Sequence, residues 1–271
     1  MVKETRDLID RLCVRCYYDQ SHLAPLQGMP YKLGESIERL KKMIDQHCGD
    51  RDVKVFLSEW NPECSTDVAG NMGQALEAAQ IFHMMERKSA EGSLDMATPC
   101  QLCVHVDRYR ADWLRSAPVQ INNYTAWTSP MYHVNALYSR LREHYLLDCS
   151  SADIPTVQSQ IFDGCTFPAL DVVVTRGESK NRIVIKAANN SDRNQEVAFT
   201  LRSSGTIKRV KATTVAAKSI FARNTAGSPN EVVPEEAEVK AVGAEFSWSF
   251  RPGSVTAFEV TIENLASGAV E

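Results

Sequence analysis

The pattern of apolar residues changes near residue 150, and this change limits the folds open to the chain. Before that point, segments with helical spacing alternate with short β-branched segments. After Cys149, short apolar runs recur, separated by turn-forming residues such as Pro252 and Gly253. Alternating strands and helices are typical of a parallel sheet, whereas closely spaced short strands are typical of a sandwich. We therefore predict two domains, residues 1–150 and 151–271.

The first domain is predicted to hold three strands and three helices in alternation. The strand candidates are residues 12–18, 53–58 and 96–106, and the helix candidates are 34–47, 72–87 and 131–147. This order favours a parallel sheet with helical crossovers. A complete eightfold β/α barrel needs roughly 250 residues, and only about 150 are available here. The region is therefore either a small open sheet or the last part of a (β/α)8 (TIM) barrel.

The second domain is predicted to be all-β. Six segments with strand character recur at short intervals, at residues 170–174, 182–187, 196–201, 207–213, 245–250 and 254–262. Strands at this spacing indicate a β-sandwich or jelly roll. The predicted fold class is thus α/β plus all-β.

Composition and charge exclude several classes of protein. Of the 271 residues, 44% are hydrophobic and 24% charged, which is the mix of an ordinary globular chain rather than a disordered one. The formal net charge of −4 gives no electrostatic support for a nucleic-acid partner. No run approaches the roughly 20 apolar residues of a membrane span. Because the first residues are polar, without the apolar core of a signal peptide, we expect a cytoplasmic protein with no membrane partner.

The eight cysteines are predicted to be reduced thiols. Two Cys-x-x-Cys pairs, at 13/16 and 100/103, raise the alternative of a zinc site. Both pairs lie in strand-like segments, where residues three apart point to opposite faces. The six histidines show no metal-ligand spacing. We therefore expect no metal and no cofactor.

The segment at residues 55–61 is the strongest candidate for chemistry. It reads Val-Phe-Leu-Ser-Glu-Trp-Asn, so a buried strand delivers Glu59 at its carboxyl end. In β/α barrels that end faces the active site. Trp60 and Asn61 follow at once, and an aromatic ring and an amide suit sugar faces and hydroxyls. A glutamate at a strand end is also common as a cap or an ion-pair partner, so the segment alone leaves both interpretations open.

Several further motifs, in order along the chain, extend this pattern. They are Phe-His-Met-Met-Glu-Arg at 82–87, Met-Ala-Thr-Pro-Cys-Gln-Leu at 96–102, Trp-Thr-Ser-Pro-Met-Tyr-His-Val at 127–134, an Asn-to-Pro stretch at 224–234 and Phe-Arg-Pro-Gly-Ser-Val at 250–255. Together with Glu-Trp-Asn at 59–61, they resemble the C-terminal half of family 51 glycoside hydrolases, the α-L-arabinofuranosidases. The resemblance implies the end of a β/α barrel followed by a β-sandwich.

The resemblance also implies roles for individual residues. Glu59 matches the catalytic nucleophile, Tyr18 matches a tyrosine that hydrogen-bonds the nucleophile, and Gln101 matches a glutamine that contacts arabinose. Trp60 and Asn61 are further substrate-binding candidates. The family has His-x-Tyr where this chain has Cys-Tyr-Tyr at 16–18. Tyr18 and Gln101 could equally be ordinary polar groups of the core or its rim.

The acid/base residue is not found in this chain. A retaining glycosidase needs two carboxyl groups about 5–5.5 Å apart, and the family provides the second in an Asn-Glu pair at a strand end. The one Asn-Glu pair here, Asn230-Glu231, lies in the predicted sandwich and matches a different motif. Strands one to five of the barrel have no counterpart. We therefore expect impaired catalysis in this chain alone, with Glu63, Glu86 and Asp107 the carboxylates to test as substitutes.

The implied activity is retaining hydrolysis of terminal α-L-arabinofuranosyl residues, with an arabinose-containing oligosaccharide as the partner. An incomplete parallel sheet leaves unpaired edges, which proteins normally cover. We therefore expect a homo-oligomer or a complementary chain half to cover them. Two alternatives remain open from the sequence: a non-catalytic carbohydrate-binding or assembly remnant, and another barrel glycosidase such as a β-xylosidase.

Overall fold

A computed structural model describes residues 4, 7–16, 28–62, 69–108, 117–159, 162–202 and 205–263 of the chain. Within these ranges the helices are α1 (Met29–Cys48), α2 (Met72–Ala90) and α3 (Pro130–Arg140). The strands are β1 (Arg11–Cys16), β2 (Lys54–Trp60), β3 (Leu94–Pro99), β4 (Cys103–His105), β5 (Val119–Ile121), β6 (Ala126–Thr128), β7 (Tyr145–Leu147), β8 (Thr156–Gln158), β9 (Thr166–Pro168), β10 (Leu170–Arg176), β11 (Arg182–Asn189), β12 (Gln195–Thr200), β13 (Thr206–Val215), β14 (Glu235–Val239), β15 (Ala241–Val242), β16 (Glu245–Phe250) and β17 (Val255–Glu263).

The N-terminal part is built on a parallel sheet in the order β1-β2-β3. Helix α1 connects β1 to β2, and α2 connects β2 to β3. Because such crossovers are right-handed, both helices lie on the same face of the sheet. Val55 and Leu57 of β2 are fully buried in the core shared with these helices. Two consecutive strand–helix–strand units, as the sequence predicts, therefore exist here.

The opposite face of this sheet carries exposed side chains in the described part of the chain. Cys13 of β1 is exposed, and Met96 of β3 keeps 49% of its surface in contact with solvent. Both align with Phe56 of β2, which is half-buried. Parallel sheets are normally covered on both faces. The three strands thus present a surface that a further layer of protein would cover.

Helices α1 and α2 begin at residues that favour a helix start. Helix α1 follows Gly28, which has φ +75°, and has Pro30 in its first turn. A Cβ at residue 28 would lie 2.9 Å from the ring of Phe167, so glycine is also required by space. Asn71 caps α2 by accepting a hydrogen bond from the amide of Gln74 at 2.9 Å.

The C-terminal part is a sandwich of two antiparallel sheets. The larger has the order β14-β13-β17-β11-β10-β7, and the smaller has the order β12-β16-β15. Aromatic side chains fill the space between them, with Phe199, Phe246 and Phe250 all near Phe258. Phe199 and Phe246 stack with ring centroids 4.8 Å apart. The predicted all-β region is confirmed by this architecture.

The larger sheet is covered on both faces. Its second face packs against α2 and α3, and Val184, Ala188 and Ala257 join the same hydrophobic core as those helices. Strand β11 is accordingly buried along nearly its whole length rather than at alternate residues. This packing explains why three apolar residues, Ile183, Val184 and Ile185, follow one another in this strand.

The Asn-to-Pro stretch at 224–234 has a structural role. Asn224 is 2% exposed, and its side-chain amide donates to the carbonyls of Thr128 and Val232, both at 2.9 Å. Its side-chain oxygen accepts from the amide of Val232 at 2.7 Å. One buried amide therefore holds the loop closed and ties it to the chain segment that leads into α3.

Two predicted elements differ from the structure. The predicted helix at 131–147 ends at Arg140, and Tyr145–Leu147 forms β7, which pairs with β10. The helical spacing of apolar residues at 131–141 continues into the next segment, but the backbone of that segment pairs with β10 in the sheet. The predicted strand at 96–106 is two strands in different sheets, β3 and β4. The division at residue 150 itself stays a prediction, although the larger sheet already includes β7.

The described residues contain free thiols, but no membrane-spanning helix and no group of metal-ligating side chains. Cys13, Cys48, Cys100, Cys103, Cys149 and Cys165 are free, and of these only Cys48 and Cys165 are buried. Within the ranges given above, no helix is long and apolar enough to cross a membrane. No group of three or more metal-ligating side chains is found there either.

Candidate active site

Glu59 lies at the carboxyl end of β2, in the middle strand of the parallel sheet. Val55 and Leu57 point toward the helices, and strict alternation would bury Glu59 with them. A bulge prevents this, because Val14 aligns with Leu57 whereas Arg15 aligns with Glu59, leaving Ser58 as the extra residue. The Glu59 side chain is 32% exposed as a result. Bulges commonly re-aim side chains beside active sites.

Hydrogen bonds from both neighbouring strands hold the bulge. The Ser58 hydroxyl donates to the carbonyl of Val14 on β1 at 3.1 Å. On the other side, the Thr98 hydroxyl of β3 donates to the carbonyl of Ser58. Each bond satisfies a backbone carbonyl next to the irregularity. The bulge is therefore a fixed feature of the sheet, and it sets the direction of Glu59.

Arg15 is the charged neighbour of Glu59. Nη2 of Arg15 lies 3.3 Å from Oε1 of Glu59, across the β1–β2 pair. The Arg15 side chain is 70% exposed, so the ion pair lies at the surface of the sheet rather than within the core. The pair places a positive charge beside the carboxylate at the end of β2.

Gln101 follows the neighbouring strand end. The amide of Cys100 donates to the carbonyl of Trp60 at 2.9 Å, which places the residues after β3 beside the end of β2. Oε1 of Gln101 is buried and has no hydrogen-bond partner among the described residues. Buried polar atoms are nearly always paired. An unpaired amide oxygen near Glu59 is consistent with a group that accepts a hydrogen bond from a ligand.

Trp60 and Asn61 occupy core positions. Trp60 is 2% exposed, and its ring meets Phe82 of α2 edge to face at 5.3 Å between centroids. Asn61 is 7% exposed. The structure thus places the Trp60 ring under the helices, where it fixes the end of β2, and not on a surface that a sugar could reach. Tyr18 lies outside the described residues.

Among the described candidates for an acid/base residue, Glu86 lies away from Glu59. Glu86 belongs to the last part of α2 and pairs with Lys186 of β11. It follows the start of α2 by 14 residues, or about 20 Å along the helix axis at 1.5 Å per residue. Asp107 is exposed in a turn after β4. Glu63 lies outside the described residues.

A second polar cluster lies between α2, α3 and the larger sheet. Asp171 is 2% exposed, with Nη2 of Arg87 2.5 Å from its Oδ1 and Nδ1 of His83 3.1 Å from its Oδ2. Nε2 of His83 lies 2.7 Å from the hydroxyl of Tyr138 on α3. Burial alone would raise the pKa of Asp171, but His83 and Arg87 hold it well below its ordinary value. Burial raises the pKa of the Tyr138 hydroxyl well above its ordinary value.

This cluster was not predicted from the sequence as a unit, because its members lie up to 88 residues apart. Some of its residues lie in the motif at 82–87. The motif contributes His83, Glu86 and Arg87, and all three contact residues of the sandwich or of α3. The cluster joins the two parts of the chain and does not include Glu59.

Comparison with known proteins decides the family. A family model described as the alpha-L-arabinofuranosidase C-terminal domain matches residues 54–254. The chain belongs to this family. The matched segment includes β2 with Glu59, the residues after β3 with Gln101, and most of the sandwich. The resemblance stated from the sequence motifs is thereby confirmed.

Solved arabinofuranosidase structures share the fold. The arabinose complex of the Thermotoga maritima enzyme is 19% identical, with a TM-score of 0.79 over 96% of this chain and 54% of that one. The family 51 enzyme of Xanthomonas axonopodis pv. citri is 16% identical, with a TM-score of 0.77 and coverages of 96% and 55%. The family 51 enzyme from Bifidobacterium longum gives 16% and 0.74, with coverages of 96% and 54%. The chain spans about half the length of these structures. A comparison with curated protein sequences found no significant match.

Proposed function

We propose that this chain supplies the nucleophile half of a retaining α-L-arabinofuranosidase. The observation that carries the proposal is the bulge at Ser58, which brings Glu59 out of the core at the carboxyl end of a parallel strand. In this proposal the β1-β2-β3 sheet is the last part of a β/α barrel. Its exposed face is then the interior of that barrel, closed by further strands.

In the proposed reaction, a Glu59 oxygen attacks the anomeric carbon of the arabinofuranosyl unit and the glycosidic oxygen leaves. The products of this step are an arabinosyl ester on Glu59 and the free aglycone. Water then hydrolyses the ester and releases arabinose. Arg15 lies beside the Glu59 carboxylate, and the free Oε1 of Gln101 accepts a hydrogen bond from a sugar hydroxyl. These steps need no metal or cofactor.

The second carboxyl group comes, in this proposal, from a complementary chain half that covers the open sheet face. Without it, the leaving oxygen receives no proton and the attacking water has no base, each a contribution of about 10²–10⁴-fold. The isolated chain is therefore impaired on ordinary substrates, with Glu59 still in place.

A substrate with a good leaving group separates the formation of the arabinosyl ester from its hydrolysis. Dinitrophenolate departs without protonation, so a 2,4-dinitrophenyl α-L-arabinofuranoside needs only the nucleophile for the first step. The ester then accumulates, because no base activates water. Intact-mass spectrometry of the chain should show the addition of one arabinosyl unit, and peptide mapping should place it on Glu59.

The matched control is Glu59→Gln, which keeps the shape of the side chain and removes the nucleophile. It should show no adduct. An adduct on another residue contradicts the assignment of Glu59, and the absence of any adduct on the unaltered chain favours a non-catalytic binding or assembly role. The same experiment with the corresponding β-D-xyloside distinguishes a β-xylosidase, which would react with the xyloside instead.

A further inference from the structure

The hairpin formed by β5 and β6 stands at the carboxyl edge of the parallel sheet. The chain that leaves β3 passes Gln101, and the amide of Val119 at the start of β5 donates to the carbonyl of Leu102 at 3.1 Å. On its other side the hairpin contacts the segment between β2 and α2, because a Cβ on Gly70 would lie 2.4 Å from Nε2 of Gln120. The base of the hairpin therefore lies between the two segments that follow β2 and β3.

The turn of the hairpin lies away from this base. Strand β5 runs parallel to β4, with Cys103 opposite Val119 and His105 opposite Ile121. Three strand residues at roughly 3.4 Å each put the turn at residues 122–125 about 10 Å from the start of β5. A ligand that contacts both Gln101 and this turn must therefore be longer than one sugar unit.

Tyr124 lies in this turn and is 94% exposed. Oδ1 of Asn122 accepts hydrogen bonds from the amides of Tyr124 and Thr125 at 2.9 and 2.8 Å. Oδ1 of Asn123 lies 3.2 Å from Nε2 of His105 on β4. These contacts fix the backbone that carries the ring. Because a tyrosine side chain has few rotatable bonds, placing a ligand against this ring costs little conformational entropy.

The hairpin is polar but uncharged. Residues 117–129 contain no Asp, Glu, Lys, Arg or His, so the segment offers no opposite charge to a charged partner. The aromatic face of Tyr124 suits the carbon face of a sugar ring, and the side chains of Asn123 and Thr125 suit its hydroxyl groups. A single ring in a polar turn is far smaller than the roughly 800 Å² that each partner buries in a stable protein interface. These features favour a neutral carbohydrate over a protein partner.

We propose that Tyr124 is a distal contact for a neutral oligosaccharide and stacks on a sugar unit beyond the one held near Gln101. The proposal rests on the function proposed above, because it places the reacting end of the oligosaccharide at Glu59. The hairpin then sets a preference for substrate length. Chains long enough to reach the turn gain the ring contact, and shorter chains do not.

The test is NMR titration of the full 271-residue chain, which also measures weak binding, with arabinobiose and arabinoheptaose. Tyr124→Ala should weaken arabinoheptaose binding about tenfold, the worth of burying one face of the ring. Tyr124→Phe keeps the ring and should bind as the unaltered chain does. Arabinobiose is too short to reach the turn and should bind the unaltered chain and Tyr124→Ala equally. The matched control is Tyr145→Ala, which removes a half-exposed tyrosine of β7 and should leave binding unchanged.

Several results would overturn the proposal. They are arabinoheptaose binding that Tyr124→Ala does not weaken, an absence of arabinoheptaose binding, an equal loss in Tyr145→Ala, and an equal loss for arabinobiose. Thermal unfolding of Tyr124→Ala should match that of the unaltered chain, because the side chain is almost fully exposed; a clear loss of stability would show that the ring packs within the protein and would also overturn it.

The two proposals fail separately. An arabinosyl adduct on Glu59 together with arabinoheptaose binding that is independent of Tyr124 would remove the distal contact alone. Binding that depends on Tyr124 without an adduct on Glu59 would remove the hydrolytic function and leave a carbohydrate contact at the hairpin.

Discussion

Replacing Asp171 with asparagine tests the polar cluster that joins α2 to the sandwich. The carboxylate is almost completely buried and faces both Arg87 and His83. Asp171→Asn keeps the shape of the side chain and removes its charge. The Arg87 guanidinium, whose side chain is 34% exposed, then loses the carboxylate with which it pairs, while its bond to the carbonyl of Val172 at 2.9 Å remains.

Breaking a buried ion pair by removing one partner costs about 3–5 kcal/mol. Because a third of Arg87 remains in contact with water, we expect the lower end, about 3 kcal/mol of unfolding free energy. Urea denaturation followed by circular dichroism measures this difference. The matched control is Glu238→Gln, which breaks an ion pair with Arg209 whose side chains are 60% and 61% exposed, and it should have little effect. A loss in Asp171→Asn no larger than the control's would refute the reasoning.

Three further predictions follow from the same structure. The pKa of Asp171 is lowered in the folded chain, so the stabilisation that its carboxylate provides is present above the ordinary aspartate pKa of about 3.9 and is lost as the pH falls below it. The difference in unfolding free energy between the unaltered chain and Asp171→Asn should therefore be larger at pH 7 than at pH 3. An equal difference at the two pH values would contradict this. Asn224→Ala leaves the amide and carbonyl of Val232 unpaired in a buried loop, and one such group costs about 1–3 kcal/mol. Thermal unfolding should therefore show a clear loss of stability, whereas Asn230→Ala, at an exposed residue, should not. Gly70 has φ +76° and a Cβ there would lie 2.4 Å from Nε2 of Gln120, so Gly70→Ala should destabilise the chain, whereas Gly227→Ala, with open space around it, should not.

The strands were predicted best where their apolar side chains follow a clear pattern along the sequence. The six predicted strands of the sandwich are all present, because alternating side chains there face an aromatic core on one side. The strand β14 was missed, since Glu235, Glu236 and Glu238 give it no apolar pattern; it forms by pairing along β13. The end of α3 was also missed, because pairing of β7 with β10 overrides the local helical spacing.

At the candidate site, the sequence located Glu59 but not its orientation. The alternation of Val55 and Leu57 would have placed Glu59 under the helices, and only the register against β1 reveals the bulge that turns it outward. Arg15 was missed for the same reason, since its alignment with Glu59 depends on that register. Trp60 was expected to contact substrate and lies in the core instead. A single chain sequence carries no direct signal for contacts between strands 40 residues apart.

The polar cluster between α2, α3 and the larger sheet was also not predictable from the sequence, because it depends on contacts between distant segments. Polar residues such as His83 and Asp171 look unremarkable in their own segments, and their meaning comes from the packing of α2 and α3 on the sheet. Helical and strand periodicity predict which residues are buried, but not which distant residues they meet.

In the proposed function, this chain carries the nucleophile of an arabinofuranosidase without its acid/base partner. The most direct test is the turnover of 4-nitrophenyl α-L-arabinofuranoside by the purified chain alone, with Glu59→Gln measured alongside. We expect a rate at least about 10²-fold below the typical enzymatic range, because general acid–base assistance is absent. A rate of about 1–10³ s⁻¹ would contradict it, since a second carboxylate would then have to act within these 271 residues.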